Sequence, residues 1–252
     1  MSFKKALLAA SLIAVSASAS AAVISGNELQ NGLNNITDGN FYDVNTSQVA
    51  NDEVWTITSS GGSVNRLIFE FAGFSNVAEF GIYDVNNTAN RVEIFNGASC
   101  GTYQCGSNLG LNFEVLANMT GTTYQSLLNG SSATFSSSTY GYYLNSGAGT
   151  FFSQAHLNTE LGLGVDADHM VAYKGDDSTR IDITGGTNYK PFSSGEYILA
   201  WEDLSLSNSD YDYTDFVVLV ESVAPVSEPG TLALLGLGIL GLGFARRKQA
   251  KA

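Results

Sequence analysis

The residues best suited to chemistry in this chain are acidic side chains that lie close together in the sequence. Asp210, Asp212 and Thr214 alternate along the chain in a D-x-D-x-T pattern. Oxygen donors at alternate positions of a tight loop can converge on one cation, and Ca²⁺ is the cation that prefers them. Three further acids flank this segment, namely Glu202, Asp203 and Asp215. The pattern predicts a calcium site, and the competing interpretation is a solvated acidic turn without an ion.

Two predicted strands would bring these acids together. Glu202 and Asp203 fall within the last three residues of the apolar run Tyr197–Leu204. Asp215 directly precedes the run Phe216–Val223. If these strands pair, the acids meet at one end of a hairpin, where unneutralised like charges would destabilise the fold. A bound cation is therefore expected to stiffen the domain.

Short runs rich in β-branched and aromatic residues, bounded by Gly, Asn or Ser, recur along the chain and predict strands. The nine runs are Val54–Thr58, Val64–Phe71, Ala78–Asp84, Arg91–Phe95, Leu111–Leu116, Tyr140–Leu144, Asp168–Tyr173, Tyr197–Leu204 and Phe216–Val223. Thr122–Leu128 is the internal segment with a helical pattern, and the Ser-rich stretch Asn129–Ser138 predicts a mobile loop. Strands without intervening helices predict an all-β fold, an antiparallel β-sandwich or jelly-roll-like single domain flanked by an N-terminal signal helix and a C-terminal hydrophobic helix.

Between its two ends the chain is strongly acidic. Residues 22–227 carry 5 basic and 23 acidic side chains, a net charge of −18. This charge disfavours nucleic acid and anionic membrane surfaces as partners and favours divalent cations. The two cysteines, Cys100 and Cys105, are separated by four residues. Because two thiolates alone leave a zinc site short of ligands, we predict a disulfide formed in an oxidising compartment.

The chain lacks the patterns of common hydrolases. It has two histidines, His156 and His169, and neither a G-x-S-x-G nor an H-E-x-x-H pattern occurs. We therefore predict that the protein is not an enzyme. Asp166 and Asp168, which precede His169, could reach the calcium site from a neighbouring strand. The interpretation we favour makes His169 a half-buried strand residue hydrogen-bonded to an acidic neighbour.

Aromatic residues leave two alternatives open. Trp55 and Trp201 lie in apolar strand patterns and are predicted to be core residues. Tyr211 and Tyr213 are the better candidates for exposed rings that stack on sugars. A carbohydrate-binding module is therefore one alternative function. A polysaccharide-acting enzyme is the other, because 23 acids can always supply a pair of carboxylates.

The N-terminal end has the order of a secretory signal peptide. Lys4 and Lys5 precede the apolar stretch Ala6–Val15, and the small residues Ala19-Ser20-Ala21 follow it. This order of basic, apolar and small residues predicts removal of residues 1–21 by signal peptidase. The predicted domains are therefore the signal peptide (1–21), a secreted β domain (22–223) and a C-terminal sorting segment (224–252).

The C-terminal segment has the composition of a sorting tail. Ser227, Glu228 and Pro229 precede a 15-residue apolar run, Thr231–Ala245. The basic residues that follow this run are Arg246, Arg247 and Lys248. The run would form about 22 Å of helix against a hydrocarbon core of roughly 30 Å, with the basic residues as a membrane stop on the cytoplasmic side. A permanent tail anchor is the alternative.

This tail resembles the PEP-CTERM sorting signal, with Ser227 where that family usually has Pro. The resemblance implies export in a Gram-negative bacterium that makes extracellular polysaccharide. It also implies a transient inner-membrane intermediate held by the C-terminal helix, and removal of the tail by an exosortase. The expected location is the cell surface or the extracellular matrix, with extracellular polysaccharide as a further partner.

A second resemblance covers the last third of the exported region. The W-E-D-L segment and the D-x-D-Y-x-D-F-V-V segment resemble the bacterial domain of unknown function 4114. The matching positions are Trp201, Glu202, Asp203, Leu204, Asp210, Asp212, Tyr213, Asp215, Phe216, Val217 and Val218, with Asp168–Tyr173 as the accompanying strand. The resemblance implies a β fold on a secreted protein often found beside calcium-binding modules. We therefore expect an exported structural or adhesion protein that calcium stabilises.

Overall fold

The chain folds into strands over most of the part that the structure describes. The computed structural model describes residues 22–38, 41–69, 77–96, 113–118, 121–127, 129–158, 167–183 and 187–226. The helices are α1 (Glu28–Ile36) and a 3₁₀ turn (Ala155–Leu157). The strands are β1 (Trp55–Ile57), β2 (Ser63–Phe69), β3 (Glu79–Asp84), β4 (Asn87–Asn96), β5 (Phe113–Asn118), β6 (Thr123–Ser126), β7 (Ser132–Thr134), β8 (Tyr140–Asn145), β9 (Thr150–Phe152), β10 (Met170–Lys174), β11 (Arg180–Ile181), β12 (Lys190–Pro191), β13 (Glu196–Trp201), β14 (Phe216–Glu221) and β15 (Val223–Pro225). Each of the nine predicted runs contains or overlaps a strand, which confirms the all-β prediction.

The larger strands form two antiparallel sheets. The six-stranded sheet has the order β15-β1-β8-β3-β4, with β9 paired to β8. The seven-stranded sheet has the order β10-β13-β14-β2-β5-β6-β7, and β11 and β12 form a separate hairpin. β13 pairs with β14, with Trp201 opposite Phe216. The predicted pairing that gathers the acids at one end is therefore confirmed.

A core of aromatic and aliphatic side chains lies between the two sheets. Trp55 and Trp201 are fully buried in it, as the apolar strand patterns predict. The ring centroid of Trp55 lies 5.0 Å from that of Tyr197 on the opposite sheet. Phe80 contacts Trp201 in the same way at 6.2 Å. Edge-to-face contacts of this kind add about 0.5–1.5 kcal/mol each beyond the burial of apolar area, so they hold the sheets together.

A second apolar cluster covers the other face of the seven-stranded sheet. Neighbouring residues Ile198 and Leu199 of β13 point to opposite faces and belong to different clusters. Leu29 and Leu33 of α1 pack in the cluster that contains Ile198. The sequence analysis missed α1, because three Asn and one Gly within nine residues lower its helix propensity. Burial of its apolar stripe compensates for that low propensity.

Two local predictions are wrong. The described part of Thr122–Leu128, residues 122–127, does not form a helix, because Tyr124 and Ser126 of β6 are buried and alternate with more exposed residues, which is the period of a strand. The predicted mobile loop Asn129–Ser138 contains β7, which pairs with β6. Both segments are short, and pairing within the sheet overrides their local preference.

Several predictions concern residues outside the described ranges. They are the disulfide between Cys100 and Cys105, the signal peptide, the sorting residues from Ser227 onward and both flanking helices. The jelly-roll connectivity also stays a prediction. Within the described part of the chain, no helix is long and apolar enough to cross a membrane.

Candidate functional site

The predicted acidic residues lie on the connection between β13 and β14. Glu202 directly follows β13, and its backbone N–H donates to the carbonyl oxygen of His169 at 3.0 Å. This bond extends the pairing of β13 with β10 by one residue beyond Trp201. Glu202 therefore has a fixed backbone position, while the remaining acids of the segment approach it from the loop.

The carboxylate of Glu202 is fully buried and held by the loop itself. Its Oε1 accepts a hydrogen bond from the backbone N–H of Tyr213 at 2.7 Å. Its Oε2 accepts one from the hydroxyl of Ser209. Burial nevertheless raises the pKa of Glu202 to about 7, and the nearby charges of Asp215 and Asp210 act in the same direction. A buried carboxylate with this pKa is suited to binding a cation, which would favour its charged form.

Two loop carboxylates join Glu202 in one group. Carboxylate oxygens of Glu202, Asp210 and Asp212 all lie within 4.8 Å of one another. Glu202 is buried, Asp212 is half-buried and Asp210 is exposed. The group therefore reaches from the interior to the surface, so a cation could enter from solvent.

The other predicted ligands support the loop. Both the hydroxyl and the backbone N–H of Thr214 donate to Oδ1 of Asp212, at 2.8 and 2.9 Å. These two bonds orient the Asp212 carboxylate. The Oδ2 of Asp215 accepts the backbone N–H of Asp203 at 3.0 Å, which joins the two ends of the connection. Burial raises the pKa of Asp215. The structure thus gathers three of the six predicted ligands, Glu202 among them, into the carboxylate group.

The two tyrosines of the loop have different environments. Both have positive φ angles, 63° for Tyr211 and 56° for Tyr213. Tyr211 is 37% exposed, but Tyr213 is only 1% exposed, so the prediction of an exposed Tyr213 is wrong. The hydroxyl of Tyr213 donates to the carbonyl oxygen of Asp168 at 2.7 Å. The backbone turn aims Tyr213 into the second apolar cluster, where it anchors the loop.

His169 is part of the packed interior. It is fully buried, not half-buried as predicted. Its ring stacks on Phe151 with 4.1 Å between centroids. Its Nδ1 lies 3.3 Å from the carbonyl oxygen of Glu202, so it contacts the main chain of the acidic neighbour. These contacts make His169 a packing residue of the interior that contacts the main chain of Glu202. Asp166 lies outside the described residues.

The structure also places Asp168, named in the sequence analysis, near Asp52, which the sequence analysis missed. Asp52 is 7% exposed, and burial followed by the charge on Asp168 raises its pKa well above the ordinary value. Burial likewise raises the pKa of Asp168 to about 7, with the charge of Glu53 adding to the effect. More than 100 residues separate the two acids in the chain. No local pattern could have paired them.

Comparison with known proteins bears on the sorting tail alone. Neither the curated proteins nor the solved structures include a match to this chain. The resemblance to the domain of unknown function 4114 therefore stays a hypothesis. Residues 225–248 match the family model of the PEP-CTERM protein-sorting motif. The matched range includes Ser227, Glu228 and Pro229 and extends to Lys248. The chain thus carries a PEP-CTERM sorting signal, which implies export through the membrane to the cell surface and processing by an exosortase.

Proposed function

We propose that this protein is a structural or adhesion component of the cell surface or extracellular matrix, with a β domain that calcium stabilises. On this proposal its role is structural and not catalytic. The sorting signal supports delivery to the outside of the cell. The observation that carries the calcium part is the convergence of Glu202, Asp210 and Asp212 within 4.8 Å.

The spacing of this carboxylate group suits calcium. Oxygen ligands of Ca²⁺ lie about 2.3–2.6 Å from the ion, so ligands of one ion lie within roughly 5 Å of each other. The oxygens of Glu202, Asp210 and Asp212 meet that limit. The ion would also neutralise the buried carboxylate of Glu202, in a domain that has few basic side chains to do so.

An ion at this position would stiffen more than the loop. It would tie residue 202, at the end of β13, to residues 210 and 212. The carbonyl oxygen of Tyr211, between the two loop ligands, accepts the backbone N–H of Ser25 at 2.8 Å. Fixing the loop would therefore also hold the first residues of the exported chain. A domain that carries load at a surface benefits from such a restraint, because fewer segments open locally.

Thermal unfolding of the exported domain, residues 22–226, tests the calcium site. Calcium at about one hundred times its Kd should raise the unfolding free energy by about 2.7 kcal/mol and the Tm by about 5–10 °C relative to EDTA. Asp212→Ala should abolish this increment, because it removes one ligand. Asp38→Asn is the matched control, since it neutralises an acid that is about half exposed and lies outside the carboxylate group. Equal melting curves with calcium and with EDTA would reject the site.

One observation keeps the carbohydrate-binding alternative open. Tyr211 is an exposed aromatic ring on the same loop as the carboxylate group. If the domain binds glycans here, Tyr211→Ala should remove its retention on extracellular polysaccharide, and Asp38→Asn should not. Release of soluble sugars from that polysaccharide by the purified domain would instead indicate the enzyme alternative.

A further inference from the structure

The chain changes sheets just before the sorting signal. β14 ends at Glu221 in the seven-stranded sheet, and β15 begins at Val223 in the six-stranded sheet. The one residue between them, Ser222, has a φ of 62°. Its carbonyl oxygen accepts the N–H of Thr58 at 2.9 Å, and its own N–H donates to Gly195 at 2.9 Å. These contacts hold the crossing in place and direct the chain along the edge of β1.

β15 closes this edge with few contacts. It pairs with β1 from Val223 opposite Ile57 to Pro225 opposite Trp55. The backbone N–H of Val226 then donates to the carbonyl oxygen of Val54 at 2.7 Å. Among the three side chains of β15, Val223 is buried and the other two are half-buried. The buried side chain of Val223 thus anchors the first residue of the strand, whereas backbone pairing and half-buried side chains hold its last residues, which are the first to open when the strand frays.

The sorting signal and the folded domain overlap at this strand. The family match begins at Pro225, which is still paired with β1. Two residues, Ser227 and Glu228, separate the bonded Val226 from Pro229, so the two Cα atoms are at most about 10 Å apart. An exosortase that removes the tail must hold the chain around Ser227, Glu228 and Pro229, and proteins commonly bind such peptide segments in an extended form. A segment that is hydrogen-bonded to a neighbouring strand is a poor substrate, because its backbone is not available to the enzyme.

We propose that β15 is a clasp that holds the start of the sorting signal, Pro225 and Val226, beside β1, and that the tail is removed from a form in which β15 has separated from β1. This inference rests on the processing by exosortase that the sorting signal implies. Unpairing as far as Val223 raises the number of residues between the last residue held by β1 and Pro229 from two to five, and the largest span between the two from about 10 to about 20 Å. The buried side chain of Val223 keeps the rest of the domain closed. The rate of processing then follows the open fraction of β15.

The full chain in membranes that contain the processing enzyme tests the clasp. A six-residue Gly-Ser insertion between Val226 and Ser227 supplies free chain without unpairing, and should speed tail removal about tenfold. The double variant Thr56→Cys with Ala224→Cys joins two residues that face each other across β1 and β15. Its oxidised form should be processed at least about tenfold more slowly than its reduced form. If either the insertion or the oxidation leaves the rate of tail removal unchanged, the proposal is overturned.

A matched control pair and a second protease distinguish the clasp from exosortase processing. Thr123→Cys with Thr134→Cys joins paired strands elsewhere, at side chains whose hydroxyls lie 2.9 Å apart. Oxidation of this pair should leave processing unchanged, and a slowdown equal to that of the clasp pair would overturn the proposal. If exosortase cuts no variant, the processing that the sorting signal implies is refuted. Added subtilisin still tests the clasp: slower cutting between residues 222 and 232 after oxidation of the clasp pair supports it, and equal cutting refutes it.

Discussion

The buried Asp52 and the half-buried Asp168 should make the stability of the domain depend on pH. Burial raises the pKa of Asp168 from 3.8 to about 7. At about 1.4 kcal/mol per pKa unit, this difference corresponds to roughly 4 kcal/mol. Because the folded pKa is raised, the stabilisation is complete below pH 3.8 and is lost as the pH rises through 7. About 3 kcal/mol of it should disappear between pH 5 and pH 8.

Asp168→Asn should remove the part of this dependence that comes from Asp168. An Asn side chain stays neutral at every pH, and its oxygen can still accept the backbone N–H of Met170, which lies 3.2 Å from Oδ1 of Asp168. The variant should therefore match the wild type near pH 4 and exceed its stability at pH 8. It should also lower the pKa of Asp52, whose second cause of elevation is the charge on Asp168.

Urea unfolding in EDTA, followed by the fluorescence of the two buried tryptophans, provides the measurement. Asp38→Asn is again the control, because Asp38 and its partner Arg180 are both about half exposed and such pairs contribute about 0–1 kcal/mol. The control removes the same charge from a strongly acidic domain and so corrects for general repulsion. If Asp168→Asn lowers stability at pH 8, or flattens the pH profile no more than the control does, the argument from burial is wrong.

Two further predictions concern packing. Leu33→Ala should lower the unfolding free energy by about 2–5 kcal/mol in urea unfolding, because Leu33 is fully buried, whereas Asn31→Ala on the exposed side of α1 should not lower it. Gly81→Ala should lower it by about 1–3 kcal/mol or more, because a Cβ there would lie 2.2 Å from the backbone oxygen of Val92; Gly61→Ala, with open space around it, is the control. Equal stability of either variant and its control would contradict the corresponding contact.

The sequence alone determined the features that depend on neighbouring residues. Alternation of apolar residues located every major strand, and the order of motif, apolar run and basic residues identified the sorting signal. The acidic connection between β13 and β14 was also predictable. Glu202 directly follows one strand, Asp215 precedes the next, and an antiparallel pair must bring those positions together. Such features can be predicted because local backbone geometry imposes a period or a spacing that is visible in the sequence.

The tertiary structure decided which side chains share an environment. It selected Glu202, Asp210 and Asp212 as the converging carboxylates, and directed Tyr213 inward although its neighbour Tyr211 is exposed. It formed α1 from a sequence with low helix propensity, because the face of a sheet was available to cover its apolar stripe. It also placed Asp52 near Asp168, and β15 beside β1. Contacts between distant segments depend on packing, and packing is a property of the whole domain that no local pattern contains.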